Sequence, residues 1–329
     1  MKSSTMAMIA GTGLGVSGKI LTNFDLEKMV DTSDQWIRER SGIERRHILE
    51  EGKANSDIAT MAAENALRDA GISAKDLDMI IVATITPDSL FPSTACRVQA
   101  KLGAVNAAAF DVSAACSGFI YSLALADSFI KNGNAKNILV IGSEVLSRIT
   151  DWEDRSTCVL FGDGAGAVIV TPSDNQKGIV STYIKSDGRL GNLLYIEGGG
   201  SMYPPTHETV DKKMHYIKMQ GREVFKYAVR AMIEAAIQSL KQAGYKADDI
   251  DLLIAHQANV RIIEAIAQRL KLPEEKVFVN IQEYGNTSAA SIPIALAEAR
   301  EEGRLKDGDK CLLVAFGGGF TWGSALIQF

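Results

Sequence analysis

A chain of 329 residues, 46% hydrophobic and 23% charged, can bury a sizeable core as one large domain or two ordinary ones. Its net charge of −5 offers no whole-molecule attraction to nucleic acid or an anionic membrane, so an acidic partner must meet a local basic patch. Four cysteines, Cys96, Cys116, Cys158 and Cys311, lie without CxxC or CxxH spacing, which points away from a zinc site or disulfide framework and toward a reducing cytoplasm.

The N-terminal MKSSTMAMIAGTG has no long apolar run and predicts neither a signal peptide nor a spanning helix. Next, GLGVSG (13–18) matches G-x-G-x-x-G, and GLGVSGKI nearly matches a phosphate-binding loop. Ile20 stands where that loop requires Ser or Thr, and Thr22–Asn23 reads as a cap that starts the helix too late. A nucleotide site is not expected.

LRDAGISAKDLDMIIVATIT (67–86) reads as a helix end, a turn and a buried strand. LKQAGYKADDIDLLIAHQAN (240–259) repeats it at an offset of 173, with identical residues at Leu67, Ala70, Gly71, Ala74, Asp76, Asp78 and Ile81. A second pair follows. FDVSAACSGFIYSLALADSFIKNGNAKNILVIGS (110–143) is strand, turn, helix, turn, strand, and 278–318 has the same order. These blocks predict a duplicated α/β chain with helix-covered sheets, residues 1–175 and 176–329, divided at the turn residues of TPSDNQKG.

The repeat brings three polar groups to the carboxyl ends of strands, where α/β folds place ligand sites. Cys116 lies on a strand-to-helix turn before a helix marked by Phe119, Leu123, Ala126 and Ile130. An offset of 168–170 sets Asn286, in YGNTSA, on the corresponding turn. His256 ends a strand where Ala83 stands in the first copy. The helix dipole is expected to favour the Cys116 thiolate, and small neighbours Ala114, Ala115, Ser117 and Gly118 to leave room for a substrate. Each residue alone has a plainer reading: buried filler, a hydrogen-bonded core histidine, a turn asparagine.

Together, TSDQWIRERSGIERR (32–46), DVSAACSGF (111–119), VLFGDGAGA (159–167), HQAN (256–259) and YGNTSAAS (284–291) resemble the β-ketoacyl-acyl carrier protein synthase III family of condensing enzymes. The resemblance implies the thiolase fold, a duplicated five-layered αβαβα arrangement. It implies that Cys116 takes an acyl group from acyl-CoA and that the backbone N–H groups of Cys116 and Gly318 form an oxyanion hole. His256 and Asn286 would then steady the enolate released when malonyl-acyl carrier protein loses CO₂. No metal or cofactor is implied.

By the same resemblance Trp36 and Arg155 sandwich the CoA adenine, with Thr32, Arg40 and Asn259 as further CoA-side residues. Leu160 and Phe225 line an acyl pocket that Phe91 reaches from the partner of a homodimer. Arg222, Lys226 and Arg230, spaced i, i+4, i+8 on an amphipathic helix, with Arg261 and Arg269 on the next, give a basic docking face for an acidic carrier protein. Gln268 departs from the lysine often found there. GGGSMYPPTHETVDKKM (198–214) reads as a mobile loop, with His207 and His215 at the surface.

Three other readings compete with this one. Cys, His and Asn in that order, with ~140 residues between the first two, also occur in papain-like proteases, but AACSGF is not their motif and a duplicated α/β chain is not their pattern. A starter-unit synthase of a polyketide or quinolone pathway shares all the residues named. A non-catalytic carrier-binding module does not call for an intact Cys-His-Asn set.

Overall fold

The computed structural model describes residues 5–173 and 177–329. The division expected near residue 175 falls on 174–176, outside the described residues. The first sheet is built from β1 (Met6–Gly15), β2 (Met79–Ala83), β3 (Ala108–Val112), β4 (Ile138–Val145) and β5 (Asp163–Ser173) in the order β1-β5-β4-β2-β3. Strands β2, β3 and β4 run parallel, while β5 pairs antiparallel with both β4 and β1. The second sheet has β6 (Gly178–Ser186), β7 (Leu252–Ala255), β8 (Lys310–Gly317) and β9 (Thr321–Gln328) in the order β7-β8-β9-β6. Its pairings match those of the first sheet, parallel for β7 with β8 and antiparallel from β8 onward.

The apolar run at Phe278 reads as the counterpart of β3, but pairing there shrinks to one bridge, Val277 with Leu253. Backbone polar groups that a strand would pair are instead met singly. Phe278 N–H donates to the Leu253 carbonyl, and Gln257 bonds Phe278 O and Asn280 N.

Seven helices place the layers: α1 (Asp34–Ser41), α2 (Asn55–Ala70), α3 (Thr94–Leu102), α4 (Gly118–Lys131), α5 (Gly221–Ala243), α6 (Val260–Leu270) and α7 (Ser291–Glu301). Side chains alternate across each strand. In β2, Ile80 and Val82 pack with α2 and α3, while Ile81 faces the opposite core with Phe119, Leu123 and Ile130 of α4. In the second sheet Leu312 and Val314 meet α5 and α6, while Leu313 and Ala315 meet α4 and α7. Helices α4 and α7 therefore lie between the sheets, and the stack is helix, sheet, helix, sheet, helix. Phe119 is fully buried there; replacing it by Ala would cost about 3–5 kcal/mol.

The glycines of GTGLG serve packing. A Cβ on Gly11, Gly13 or Gly15 would fall 2.5, 2.2 or 2.4 Å from backbone atoms of Ala70, Ala62 or Ile58 in α2. Strand β1 runs through Gly15, and the next helical turn starts only at Asn23, capped by Thr22. The strand, turn and immediate helix of a nucleotide loop are not formed.

Candidate active site

The offset of 173 extends through the second block. Helices α4 and α7 start at Gly118 and Ser291, each after a single 3₁₀ turn, Ala115–Ser117 and Ser288–Ala290. Ala115 and Ser288, both non-glycine residues, hold φ of +46° and +49°, a left-handed conformation that L-residues adopt at a cost. Cys116 therefore matches Ala289, and Asn286 matches Ser113, in place of the offset of 168–170. The two turns pack against each other where the halves meet.

The tip between β8 and β9 holds the nucleophile turn. Ser117 Oγ donates to the Thr321 carbonyl at 3.0 Å, and Thr321 Oγ1 donates to the Ala114 carbonyl at 2.8 Å. A Cβ on Gly317 would sit 2.5 Å from Cys116 N, so only glycine lets β8 approach this closely. Of the small neighbours, Ala114 and Ala115 line a cavity beside Cys116. Ser117 and Gly118 are buried, and their size serves packing: a Cβ on Gly118 would lie 3.0 Å from Ala83 Cβ.

His256 follows β7 directly and is buried. Its Nδ1 lies 2.6 Å from Ser291 Oγ, at the first turn of α7. The same hydroxyl accepts from Gln257 N–H at 3.4 Å; its own proton is free to be donated to Nδ1, the tautomer that puts the imidazole's proton on Nε2. Asn286 is fixed from both sides. Its N–H donates to the Leu160 carbonyl at 2.8 Å, and its Oδ1 accepts from Ser288 N–H at 2.9 Å. The amide NH₂ is the group left to face the cavity.

Cys116 sits between two chambers. One, of about 450 Å³, is mainly apolar and lined by Ile85, Leu146, Phe161, Leu194, Ile196 and Ile217. The other, of about 180 Å³, holds His256, Asn286, Asn259 and Phe316. Leu160 and Phe225, expected in an acyl pocket, line this second chamber and not the apolar one. Phe91 lines neither; it stands 85% exposed between β2 and α3. The 198–214 loop lines neither chamber, although its base does through Leu194, Ile196, Ile217 and Met219. His207 is exposed, but His215 is half-buried, with Nε2 3.0 Å from Thr209 Oγ1.

Burial dominates the electrostatics. It pushes the Cys116 thiol up to about 12, against the pull expected from the start of α4, and the neighbouring Ser288 hydroxyl offsets only a little of that rise. It pushes His256 down to about 3, so the imidazole is neutral at physiological pH. Glu144, fully buried at the end of β4, is raised to about 7 by the same cause. Its carboxylate accepts from Thr86 Oγ1, Ile85 N, Ser288 Oγ and Thr84 Oγ1 at 2.5, 3.1, 3.0 and 3.1 Å. Neither Glu144 nor Ser288 was singled out from the sequence. A lone carboxylate inside the apolar ILVIGSEV was the available signal, because Glu is rarely buried without partners.

At the outer mouth, Arg155 Cζ lies 4.3 Å from the Trp36 ring centroid, so the expected sandwich is closed and a base could enter only if the guanidinium moved aside. Thr32 Oγ1 is buried without a hydrogen-bond partner. Asn259 caps α6, accepting from Arg261 N–H and donating to the Arg40 carbonyl, so its side chain already serves to join α1 to α6. Arg40 is exposed beside it. Arg222, Lys226 and Arg230 are all exposed on α5, and Arg261 and Arg269 on α6. Lys226 pairs with Glu223, Arg261 donates to the Glu39 carbonyl, and Arg230 lines an open cleft with Glu234. Among the described residues no group of three or more His, Cys, Asp or Glu is placed to hold a metal ion, and no helix is long and apolar enough to cross a membrane. The four cysteines are free.

Two family models match: 3-oxoacyl-[acyl-carrier-protein] synthase III over residues 110–188, and the C-terminal part of the same family over 240–329. The β-ketoacyl-[acyl-carrier-protein] synthase III of Caldanaerobacter subterraneus subsp. tengcongensis is 57% identical over 323 residues, 98% of each chain. The chain belongs to the β-ketoacyl-acyl carrier protein synthase III family. Members of this family are acyl-transferring condensing enzymes. The crystal structure of the Aquifex aeolicus 3-oxoacyl-[acyl-carrier-protein] synthase III, 55% identical, superposes with a TM-score of 0.92 over 99% of this chain and 100% of its own. The thiolase fold read from the motifs is therefore the fold of the chain. The priming β-ketosynthase of the R1128 polyketide pathway superposes equally well, at 0.92 over 99% of this chain and 97% of its own, with 30% identity.

Proposed function

We propose that this chain runs the initiating condensation of fatty-acid synthesis through Cys116, His256 and Asn286. It joins an acyl group from acyl-CoA to malonyl-acyl carrier protein, giving 3-oxoacyl-acyl carrier protein, CO₂ and CoA. The observation that carries the reading is the position of Cys116 at the junction of the two chambers. In this reading the apolar chamber takes the acyl chain, and the second chamber takes the arm that carries the thioester.

Cys116 attacks the thioester carbonyl, and its own N–H with that of Gly318 holds the developing oxyanion. CoA leaves, and malonyl-acyl carrier protein enters by the same arm. Loss of CO₂ leaves an enolate whose oxygen accepts from His256 Nε2–H and the Asn286 NH₂. A neutral imidazole suits this role, because it donates without needing to gain or lose a proton. The enolate carbon then attacks the acyl-Cys116 carbonyl and expels the thiolate. Decarboxylation supplies the carbanion, so this reading calls for no cofactor.

The higher identity to fatty-acid synthases than to the R1128 enzyme favours primary fatty-acid synthesis over a polyketide starter role. The same reading sets the chain in the cytoplasm as a homodimer, with exposed Phe91 turned toward the partner subunit, and gives the acidic carrier the basic face of α5 and α6. A panel of acyl-CoAs incubated with malonyl-acyl carrier protein tests the reaction. Formation of 3-oxoacyl-acyl carrier protein from at least one short acyl-CoA supports it; acyl-enzyme without condensed product from any of them contradicts it.

A further inference from the structure

Glu144 is fully buried and has no part in the mechanism above, yet it is tied to the nucleophile. Its Oε1 lies 3.0 Å from Ser288 Oγ, and Ser288 lines the same chamber as Cys116, on the turn packed against the nucleophile turn. Ser288 is held for this by its left-handed backbone and by its N–H on Asn286 Oδ1. We propose, resting on the acyl-Cys116 reading, that Glu144 receives the Cys116 proton through Ser288 during acyl transfer and stores it until the condensation is complete.

The thiol proton passes to Ser288 Oγ as the proton already there passes to Glu144 Oε1. The freed sulfur pair forms the C–S bond to the acyl carbon, the bond from that carbon to the CoA sulfur breaks, and the CoA thiolate takes a proton from water. When the enolate expels Cys116, the same two transfers run backward and restore the thiol. Glu144 acts through Ser288 and touches no reacting atom.

The surroundings suit a store. From β2 and the residues after it come Thr84 Oγ1, Ile85 N–H and Thr86 Oγ1, and from α2 Asn55 bonds Thr84 and the Ser143 carbonyl. From the turn before α7 comes Ser288, across β5 the register partner is Gly164, and from the turn before α4 comes Cys116, the titratable member of the set. Neutral donors hold the carboxylate without a cation to lock it ionised. Its upward shift to about 7 keeps both protonation states accessible near neutral pH.

The test is single-turnover acylation of Cys116 by acetyl-CoA, followed by intact mass across pH 5.5–9. Wild type should show a rise centred near the Glu144 transition and then a plateau. E144Q should lose that inflection and load at least tenfold more slowly at pH 7.5, E144D should restore the inflection, and S288A should behave as E144Q. S288A leaves the carboxylate and its other partners in place and so decides the matter if E144Q does not fold. An E144Q protein that loads as fast as wild type or faster, or that is slowed equally at every pH, overturns the relay. A wild type that forms no adduct at any pH overturns instead the acyl-Cys116 reading on which it rests.

Discussion

Gly317 lies against Cys116 so closely that a Cβ on the glycine would fall 2.5 Å from the cysteine's backbone nitrogen. That contact brings the tip between β8 and β9 up to the nucleophile turn and puts Gly318 within the same cavity wall. Gly317→Ala must push the two turns apart. Overpacking of this kind costs about 1–3 kcal/mol, which a denaturant titration will read. Because Cys116 N is the atom displaced, acyl transfer should fall more than tenfold in protein that remains folded.

Asn286→Asp keeps the shape and the oxygen that accepts from Ser288 N–H, but replaces the NH₂ with a second acceptor. Losing one aimed donor at an oxyanion costs roughly 10²–10³ in rate. Condensation should fall at least that far while loading from acyl-CoA persists, and stopped-flow loading beside steady-state product formation separates the two. Ser291→Ala, which frees His256 Nδ1, should act in the same direction and more weakly.

Much of this arrangement was legible in the chain itself. The repeat at Leu67 and Leu240, the apolar strands and the helix after Cys116 follow from periodicity, because buried strands and an enclosed helix leave long hydrophobic signatures. The register of the second block was not. Sequence identity there favoured 168–170, whereas the paired turns at Ala115 and Ser288 set 173, and backbone dihedrals leave no mark in composition. The Phe278 run has the hydrophobicity of a strand but pairs with β7 through one bridge only, which only the tertiary structure decides. GTGLG could be read as phosphate-binding or as close packing, and α2 chose packing. Which chamber Leu160 and Phe225 line depends on three-dimensional walls built from stretches scattered between Cys116 and Phe316, and no spacing encodes that.

His256 and Glu144 tilt stability with pH in opposite directions. An unfolded His gains a proton below 6.5, whereas the folded one waits until about 3, so stability is lost as pH falls through that window, at up to about 1.4 kcal/mol per unit. An unfolded Glu ionises from 4.5, whereas the folded Glu144 keeps its proton to about 7, so its contribution is lost as pH rises through that range. The slopes oppose each other between 4.5 and 6.5. His256→Asn should expose the Glu144 slope, with stability falling from pH 4.5 to 7, and Glu144→Gln should expose the His256 slope, with stability rising from about pH 3 to 6.5. Urea midpoints at fixed pH steps measure both.

Reversing Lys226 and Arg261 to Glu should raise KM for malonyl-acyl carrier protein about tenfold or more and leave loading from acyl-CoA unchanged. Each is exposed, and neither lines a chamber. Salt should weaken the wild-type interaction and blunt the difference, as it does for exposed charges. Equal loss of both half-reactions would show that the substitutions disturb the site and not a docking face.

The central claim is that Cys116 carries the acyl group. Incubation with acetyl-CoA alone, followed by intact mass and peptide mapping, measures this directly. The account predicts one acetyl group per chain, on the peptide containing Cys116, present in His256→Ala and Asn286→Ala and lost in Cys116→Ala. An adduct that survives Cys116→Ala, or one that maps to Cys96, Cys158 or Cys311, would contradict it.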